Sequence, residues 1–475
     1  MNYEPSTQQK LQNSDRSTYT LEFSPVSNSN GSVRFIDRSL GKERTVGINV
    51  DDSVFENRDR AKFPAIIADI IDLAVAIHVS DRLAPQNLNK KERHLHVVLP
   101  VRHPESLSAE PFQTKLKELL EWATGSQWVF EFQKREVLVR PVEQRLLVAT
   151  QPRGYEVALW SGGLDALAGL YTLLKMYPEK RFALFGVGNN SNIYDLQRKV
   201  AKEVESIFPR RCAPFRLRIN WQESCPQQEK RKKNKFSRAR GVVFTLLGVA
   251  CAYLMGQRIL CVYENGMGAI NLFYRASAVG LDRTRSVHPL TLLMVGEVVS
   301  ELLGEKFQVQ NPFLYWTKAQ MCKALAEDGR NNLASLTISC DSKHRKSQQP
   351  TQCGYCSSCL LRRQALAAAD IEDKTPYIVL DEKRSDKDRS KAFLNMHEQV
   401  RILKNLLSIS GETSDRWEAM TRRFSDLEDI VDRTAAAENL SPLDMQSHLI
   451  ELYQTYVAEW DTVESRISRG LLNNA

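Results

Sequence analysis

Hydrophobic positions along this chain follow two different rhythms. From Tyr19 to about Arg140 they alternate with polar residues in "TYTLEF", "SVRFIDR", "HLHVVLPV", "WVFEFQKR" and "VLVRPV". A period of two sends successive side chains to opposite faces, so these segments are expected strands. Helical spacing interrupts them near Ala61–Val79 and Pro111–Ala123, giving an expected N-terminal α+β domain over residues 19–150. That domain carries no recognisable chemical motif.

From about Tyr155 the rhythm changes. Strands "YEVALW", "RFALFGV", "PFRLRINW" and "RILCVYEN" alternate with helices "DALAGLYTLLKMY", "NIYDLQRKVAKEVESIF" and "ARGVVFTLLGVACAYLMG". Such alternation favours a parallel sheet of the five-stranded type with helices on both faces. Ligands of such sheets sit beyond the carboxyl ends of the strands. This α/β domain is expected over residues 151–380. Beyond it, "DEKRSDKDRSK" (Asp381–Lys391) reads as a solvated linker. The segments "FLNMHEQVRILKNLLS", "RWEAMTRRFSDLEDIVDRTAAA" and "DMQSHLIELYQTYVAEWDTVESRI" then read as helices, completing a helical region over 381–475. Residues 1–18 read as disordered.

Composition narrows the class. With 475 residues, 42% hydrophobic and 26% charged, the chain suits a globular protein of about three domains. No apolar run nears the roughly 18–20 residues of a membrane helix, and the N-terminus lacks the apolar centre of a secretory signal. A cytoplasmic address without a membrane partner is expected. The net charge of +8 admits anionic partners such as nucleotides, but does not by itself point to nucleic acid.

Candidate chemistry begins at a strand–helix junction, "VALWSGGLDALAGL" (Val157–Leu170). Gly162 and Gly163 let the backbone approach a ligand closely. Successive amides form a concave nest, and the following helix adds its N-terminal partial charge. Phosphate is the natural occupant, with Ser161 donating its hydroxyl and Asp165 holding the Mg2+ of a polyphosphate. The loop lacks the lysine of GxxxxGK[ST]. The competing reading is a tight turn without a ligand.

Cys340, Cys353, Cys356 and Cys359 form a second cluster, C-x12-C-x2-C-x2-C, among nine cysteines. Four thiolates leave no open coordination position, so the expected ion is structural Zn2+. A redox CxxC pair and scattered buried thiols are the rivals; a third cysteine at the same spacing argues against both. His344 is the alternative to Cys340, disfavoured by its place in the basic run "KHRK". Cys212, Cys225, Cys251, Cys261 and Cys322 read as ordinary residues. A basic segment, Glu229–Arg240, concentrates Lys230, Arg231, Lys232, Lys233, Lys235, Arg238 and Arg240. It reads either as a cover over triphosphate and pyrophosphate or as a solvated or RNA-facing run. Phe236 is its one aromatic residue, so stacking on single strands is poorly supported.

These motifs carry a resemblance. "SGGLDA" resembles the SGGxDS signature of the PP-loop ATP pyrophosphatases, with Ala166 where that family has serine. "CGYCSSCLLRRQAL", followed by "AADIEDKTPY", resembles the CGxCxxCxxR zinc segment of the QueC family of 7-cyano-7-deazaguanine synthases, and Arg362 matches its arginine. "SRARGVVFTLLGVACA" is similar to that family's PxRNxxFLSxAxxxA helix, and "NPFLYWTKAQMCKAL" to its segment ending in TKxEIV. The resemblance runs roughly from Tyr155 to Tyr377. It implies ATP bound by Ser161, Gly162, Gly163, Leu164, Asp165 and Gly188. It implies catalytic roles for Asp165, Lys318 and Arg240, with Thr317 beside the phosphates, and ATP, Mg2+ and structural Zn2+ as cofactors. The family's "YGQRH" and its GxNxxDxSGYPDC loop are replaced here by "VGNNSNIYDL" and "YENGMGAINL". Glu264, Asn265 and Gly266 are then the candidate readers of a purine-like ring, a plain glycine-rich turn being the alternative.

The implied activity is a ligase that cleaves ATP to AMP and pyrophosphate and adenylates the carboxylate of 7-carboxy-7-deazaguanine. An amine then attacks. In the compact family the amine is ammonia, and a second ATP converts the amide to a nitrile. Relatives with added domains occur in bacterial antiphage cassettes, where the resemblance implies a protein amine. The N-terminal and C-terminal additions are expected to dock that partner. Nitrile synthesis, a nucleotide-binding scaffold without chemistry, and tRNA modification remain the alternatives.

Overall fold

The computed structural model describes residues 16–27, 30–51, 63–85, 92–135, 154–188, 191–222, 237–274, 284–340, 352–377 and 386–472. The polar start, the "VLVRPV" segment, most of the basic run and His344 lie outside them.

Strands β1 (Arg16–Ser27), β2 (Asn30–Asp37) and β3 (Lys42–Asp51) form an antiparallel meander. Helix α1 (Ala65–Leu83) starts just after Pro64, a few residues later than its periodicity suggests. It leads to β4 (Glu92–Val101), the short α2 (Pro104–Ser108), α3 (Glu110–Thr124) and β5 (Gln127–Lys134), with β1, β4 and β5 parallel. Strand β3 escapes the sequence reading because Gly47 and the charges of "KERT" mask its alternating Val46, Ile48 and Val50, all buried.

The second half follows the expected alternation: β6 (Tyr155–Leu159), α4 (Leu164–Met176), β7 (Arg181–Gly188), α5 (Ser191–Ile207), β8 (Cys212–Gln222), α6 (Arg240–Leu254) and β9 (Ile259–Cys261). Next come α7 (Gly266–Ile270), α8 (Pro289–Leu303), β10 (Gln308–Gln310), α9 (Lys318–Glu327), α10 (Asn331–Ser335) and α11 (Ser357–Ala368). The chain ends in α12 (Asp386–Leu407), α13 (Thr413–Arg423), α14 (Asp426–Thr434) and α15 (Pro442–Leu472). Helix α12 takes in the second half of the charged run read as linker. Among the described residues no helix is long and apolar enough to cross a membrane.

The two halves share one sheet. Its order is β10-β9-β6-β7-β8-β3-β2-β1-β4-β5, with β3 joined antiparallel to β8 through Asp51–Arg218 and Gly47–Gln222. The five strands β10 to β8 are parallel throughout. Their residues are buried on both faces: Ala183, Phe185 and Val187 join the core under α1, α6 and α8, while Phe182 and Leu184 join the core under α4, α5 and α9. Burial on both sides explains why these strands read as continuous apolar runs.

Charge pins the halves together. On α1, Asp81 is fully enclosed and lies 2.7 Å from the buried Arg93 guanidinium. Its other oxygen accepts from Ser237 Oγ at 2.7 Å and from the Ala239 amide at 3.1 Å, at the start of α6. Removing one member of a buried pair strands the other charge, at about 3–5 kcal/mol. Asp81→Ala is therefore expected to lower urea-unfolding stability by about that amount, whereas Ser237→Ala costs about 1 kcal/mol. His78, one turn earlier, is held down to about 4 by burial and by nearby Arg82, from an ordinary 6.5. The unfolded chain then binds the extra proton between pH 6.5 and 4, so stability should fall as pH drops through that window. Urea titrations of His78→Leu should show a shallower fall than wild type there.

Candidate functional site

Strands β10, β9 and β6 are neighbours, so the segments leaving their carboxyl ends meet. From β6 comes the Ser161–Asp165 turn, from β9 the Glu264–Gly266 turn, and from β10 the segment leading to Lys318.

In the first turn, Gly162 stands at φ +71, a left-handed conformation that an L side chain adopts at a cost. A Cβ there would also press on the Gln197 backbone, 3.1 Å away. Gln197 is buried on α5 and braces the turn: its Nε2 donates to the Trp160 carbonyl at 2.9 Å, and Trp160 Nε1 donates to its carbonyl at 3.0 Å. The Gly163 amide donates to Ser161 Oγ at 3.1 Å. Leu164 is wholly enclosed in the core, leaving only its backbone for a ligand, and Ala166 is enclosed beside it.

Asp165 is the centre of the cluster. One carboxylate oxygen lies 2.7 Å from Lys318 Nζ, and the other accepts from Asn265 Nδ2 at 2.8 Å. The same Asn265 amide donates to Glu264 Oε1 at 2.8 Å, while its carbonyl caps α7 by accepting from the Gly268 amide. Side-chain exposure is 5% for Lys318 and 13% for Asp165. Burial alone would push the Lys318 amine down, but the carboxylates of Asp165 and Glu264 outweigh it and hold the pKa above its ordinary value. An ammonium thus faces two carboxylates, leaving one net negative charge. Hard oxygen donors with net negative charge fit Mg2+, so Asp165 and Glu264 are the groups that would hold it. Cys322, beside them, is pushed up to about 12 by burial and the Asp165 charge, so it is a neutral thiol at physiological pH.

Asn311, at the end of β10, fixes the Glu264 backbone from both sides, accepting from its amide at 3.3 Å and donating to its carbonyl at 2.8 Å. The sequence reading missed Asn311 and Gln197. Both left a trace: an Asn-Pro pair closing a strand, and a lone amide in the Leu196–Val200–Val204 apolar stripe.

Gly188 ends β7, and a Cβ there would meet nothing within 4 Å. Arg240 opens α6, with its guanidinium 4.8 Å from the Phe244 ring centre and close enough to His78 to depress it. That helix covers the sheet face opposite α4. Of the basic run, Lys230–Lys235 lie outside the described residues.

The four sulfurs of Cys340, Cys353, Cys356 and Cys359 lie within 4.8 Å of one another. Cys353–Cys359 and Cys340–Cys356 are separated by 3.8 and 4.0 Å. A tetrahedral ion with Zn–S bonds of about 2.3 Å requires S···S edges of about 3.8 Å. The fit is close. Amides of Cys353 and Cys356 point at the sulfurs of Cys340 and Cys353, at 3.4 and 3.2 Å, as thiolate ligands require. Behind the cluster, Arg362 is fully enclosed and donates to Thr337 Oγ1, the Ala334 carbonyl and Thr375 Oγ1 at 2.7, 2.6 and 3.0 Å. It fixes the segment entering Cys340, whose Ile338 carbonyl abuts Gly163. The cysteine cluster thereby backs the glycine turn. Elemental analysis should find one zinc per chain, lost in Cys340→Ser and Cys359→Ser but kept in His344→Ala; retention in Cys340→Ser would return the ligand role to His344.

Comparison with known proteins falls on this same region. Residues 291–370 match the family model described as "Queuosine biosynthesis protein QueC". A 7-cyano-7-deazaguanine synthase from Pseudomonas aeruginosa is 40% identical over 74 residues, 16% of this chain and 31% of that protein. One from Coxiella burnetii is 33% identical over 75 residues, 16% of this chain and 31% of its own. The 7-cyano-7-deazaguanine synthase 1 of Sulfurisphaera tokodaii is 38% identical over 88 residues, 18% of this chain and 40% of its own. The chain therefore aligns with between 31% and 40% of the length of these relatives. The shared segment holds Lys318, the four clustered cysteines and Arg362, and over it this chain is similar to the QueC family, with further elements on both sides.

Proposed function

We propose that this protein is an ATP-dependent ligase that adenylates the carboxylate of 7-carboxy-7-deazaguanine and transfers the acyl group to an amine. The observation carrying this reading is the buried Asp165–Lys318 pair at the mouth of the Ser161–Gly163 turn, with Glu264 and Asn265 bonded into it. The turn's amides and Ser161 receive phosphate, and the α4 N-terminus adds its partial charge. Asp165 and Glu264 would hold Mg2+, which would supply charge neutralisation for the triphosphate. Lys318 faces the developing negative charge as pyrophosphate leaves, a fixed ammonium in a site where little water screens it. The substrate carboxylate attacks the α-phosphorus, the α–β bridging P–O bond breaks, and the acyl-adenylate is left open to an amine. Glu264 would also read the edge of the deazaguanine ring, whereas Asn265, buried and with both amide hydrogens committed, orders the site instead.

For the amine, we propose a group on a partner protein, in a bacterial antiphage setting. The support is the amount of chain outside the QueC-like segment: five N-terminal strands and a C-terminal helical bundle. Ammonia, leading to the nitrile, is the second reading, favoured by the names of the relatives.

Incubation with 7-carboxy-7-deazaguanine, Mg2+ and ATP should release pyrophosphate. Asp165→Asn and Lys318→Ala should each slow that release on the order of 100-fold. Mass spectrometry of small molecules and of candidate partners then separates nitrile from protein adduct. Wild type without pyrophosphate above background, or an unchanged Asp165→Asn, would leave a nucleotide-binding scaffold as the surviving account.

A further inference from the structure

Lys318 opens α9, and what holds that opening comes from the far end of the chain. Thr317 is the N-cap: its hydroxyl accepts from the Gln320 amide at 3.1 Å, and Gln320 Oε1 accepts from the Thr317 amide at 2.7 Å. The hydroxyl proton goes elsewhere, to Glu459 Oε1 at 2.5 Å. The second oxygen of Glu459 accepts from Gln364 Nε2 at 3.0 Å, on α11, the helix that carries Cys359. Glu459 belongs to α15, in the midst of buried Leu452, Tyr456, Trp460 and Val463. A carboxylate in such an apolar stripe is costly to keep unless it is bonded.

The same helix touches the other half of the cluster. Two turns before Glu459, Leu452 packs on Gly266, where an added Cβ would overlap both the Leu314 carbonyl and the Leu452 side chain. Residues seven apart lie on one helix face. One face of α15 therefore meets the Thr317–Lys318 turn through Glu459 and the Glu264–Gly266 turn through Leu452.

We propose that Glu459 is a positioning residue: through Thr317 it fixes the first turn of α9 and so sets where the Lys318 ammonium stands against Asp165. Its catalytic consequence rests on the reading of that pair as the ATP site. The C-terminal bundle is thus a strut of the active centre. Gln364 extends the strut to the zinc segment, so metal knot and bundle bear on one lysine.

The test is a double-mutant cycle in the full-length chain, with folding checked by thermal unfolding. Glu459→Ala should lower kcat for pyrophosphate release about tenfold, the scale of one lost charge-assisted bond, with KM for ATP within about twofold. Glu459→Gln, which keeps an acceptor for Thr317, should retain most of the rate. Lys318→Ala with Glu459→Ala should be no slower than Lys318→Ala alone, because the glutamate acts through the lysine. Multiplying losses, or a Gln variant as poor as Ala, would overturn the proposal. A second arm needs no turnover: acylation of Lys318 by a succinimidyl ester, followed by peptide mass spectrometry, should be several-fold faster in Glu459→Ala and unchanged in Glu459→Gln. If wild type releases no pyrophosphate, the ligase reading fails and the acylation rates alone decide the role of Glu459; equal rates in wild type and Glu459→Ala sink it.

Discussion

An ammonium enclosed to 5% exposure needs a carboxylate at contact distance, and Lys318 has Asp165 at 2.7 Å. Desolvation of two charges costs several kcal/mol each, and only good geometry with further hydrogen bonds repays it. The surroundings supply both. Asn265 bonds the second Asp165 oxygen and Glu264 together, Asn311 fixes the Glu264 backbone, and Glu459 fixes the turn beneath Lys318. The pair and its partners tie three chain segments together. Strand order makes the convergence possible, since β10, β9 and β6 lie side by side and release their loops at one edge.

The two motifs that stand out in the chain act on one structure. The glycine turn has neighbours on two sides, Gln197 from α5 and the Ile338 carbonyl from the zinc segment. Arg362, enclosed and bonded to neutral acceptors, keeps that segment against the core. A cysteine cluster more than a hundred residues downstream, spaced to hold a metal, thereby helps shape a backbone nest whose use depends on where its amides point.

Much of this was legible in the residues. Parallel strands buried on both faces announce themselves as apolar runs, and the SGGLD turn and spaced cysteines carry chemistry that few residue types can supply. Other features were hidden for physical reasons. Strand β3 breaks its alternation at Gly47, and its junction with β8 is a long-range pairing that local periodicity does not encode. The family resemblance makes Glu264 and Asn265 substrate contacts and Asp165 and Lys318 catalytic groups; that all four form one bonded cluster depends on strand order. Gln197 and Glu459 appear in sequence as single polar residues in apolar stripes, a signal visible only once the stripe is known to be buried.

The junction of β3 with β8 has a consequence for how this chain can be cut. A domain boundary drawn near residue 150 would pass through a hydrogen-bonded ladder. Truncation there would bare the flank of β8 and the core beneath α1, the kind of unprotected edge through which proteins aggregate. The catalytic-looking half is thus no transplantable cassette. Its solubility as a fragment depends on strands supplied by the other half.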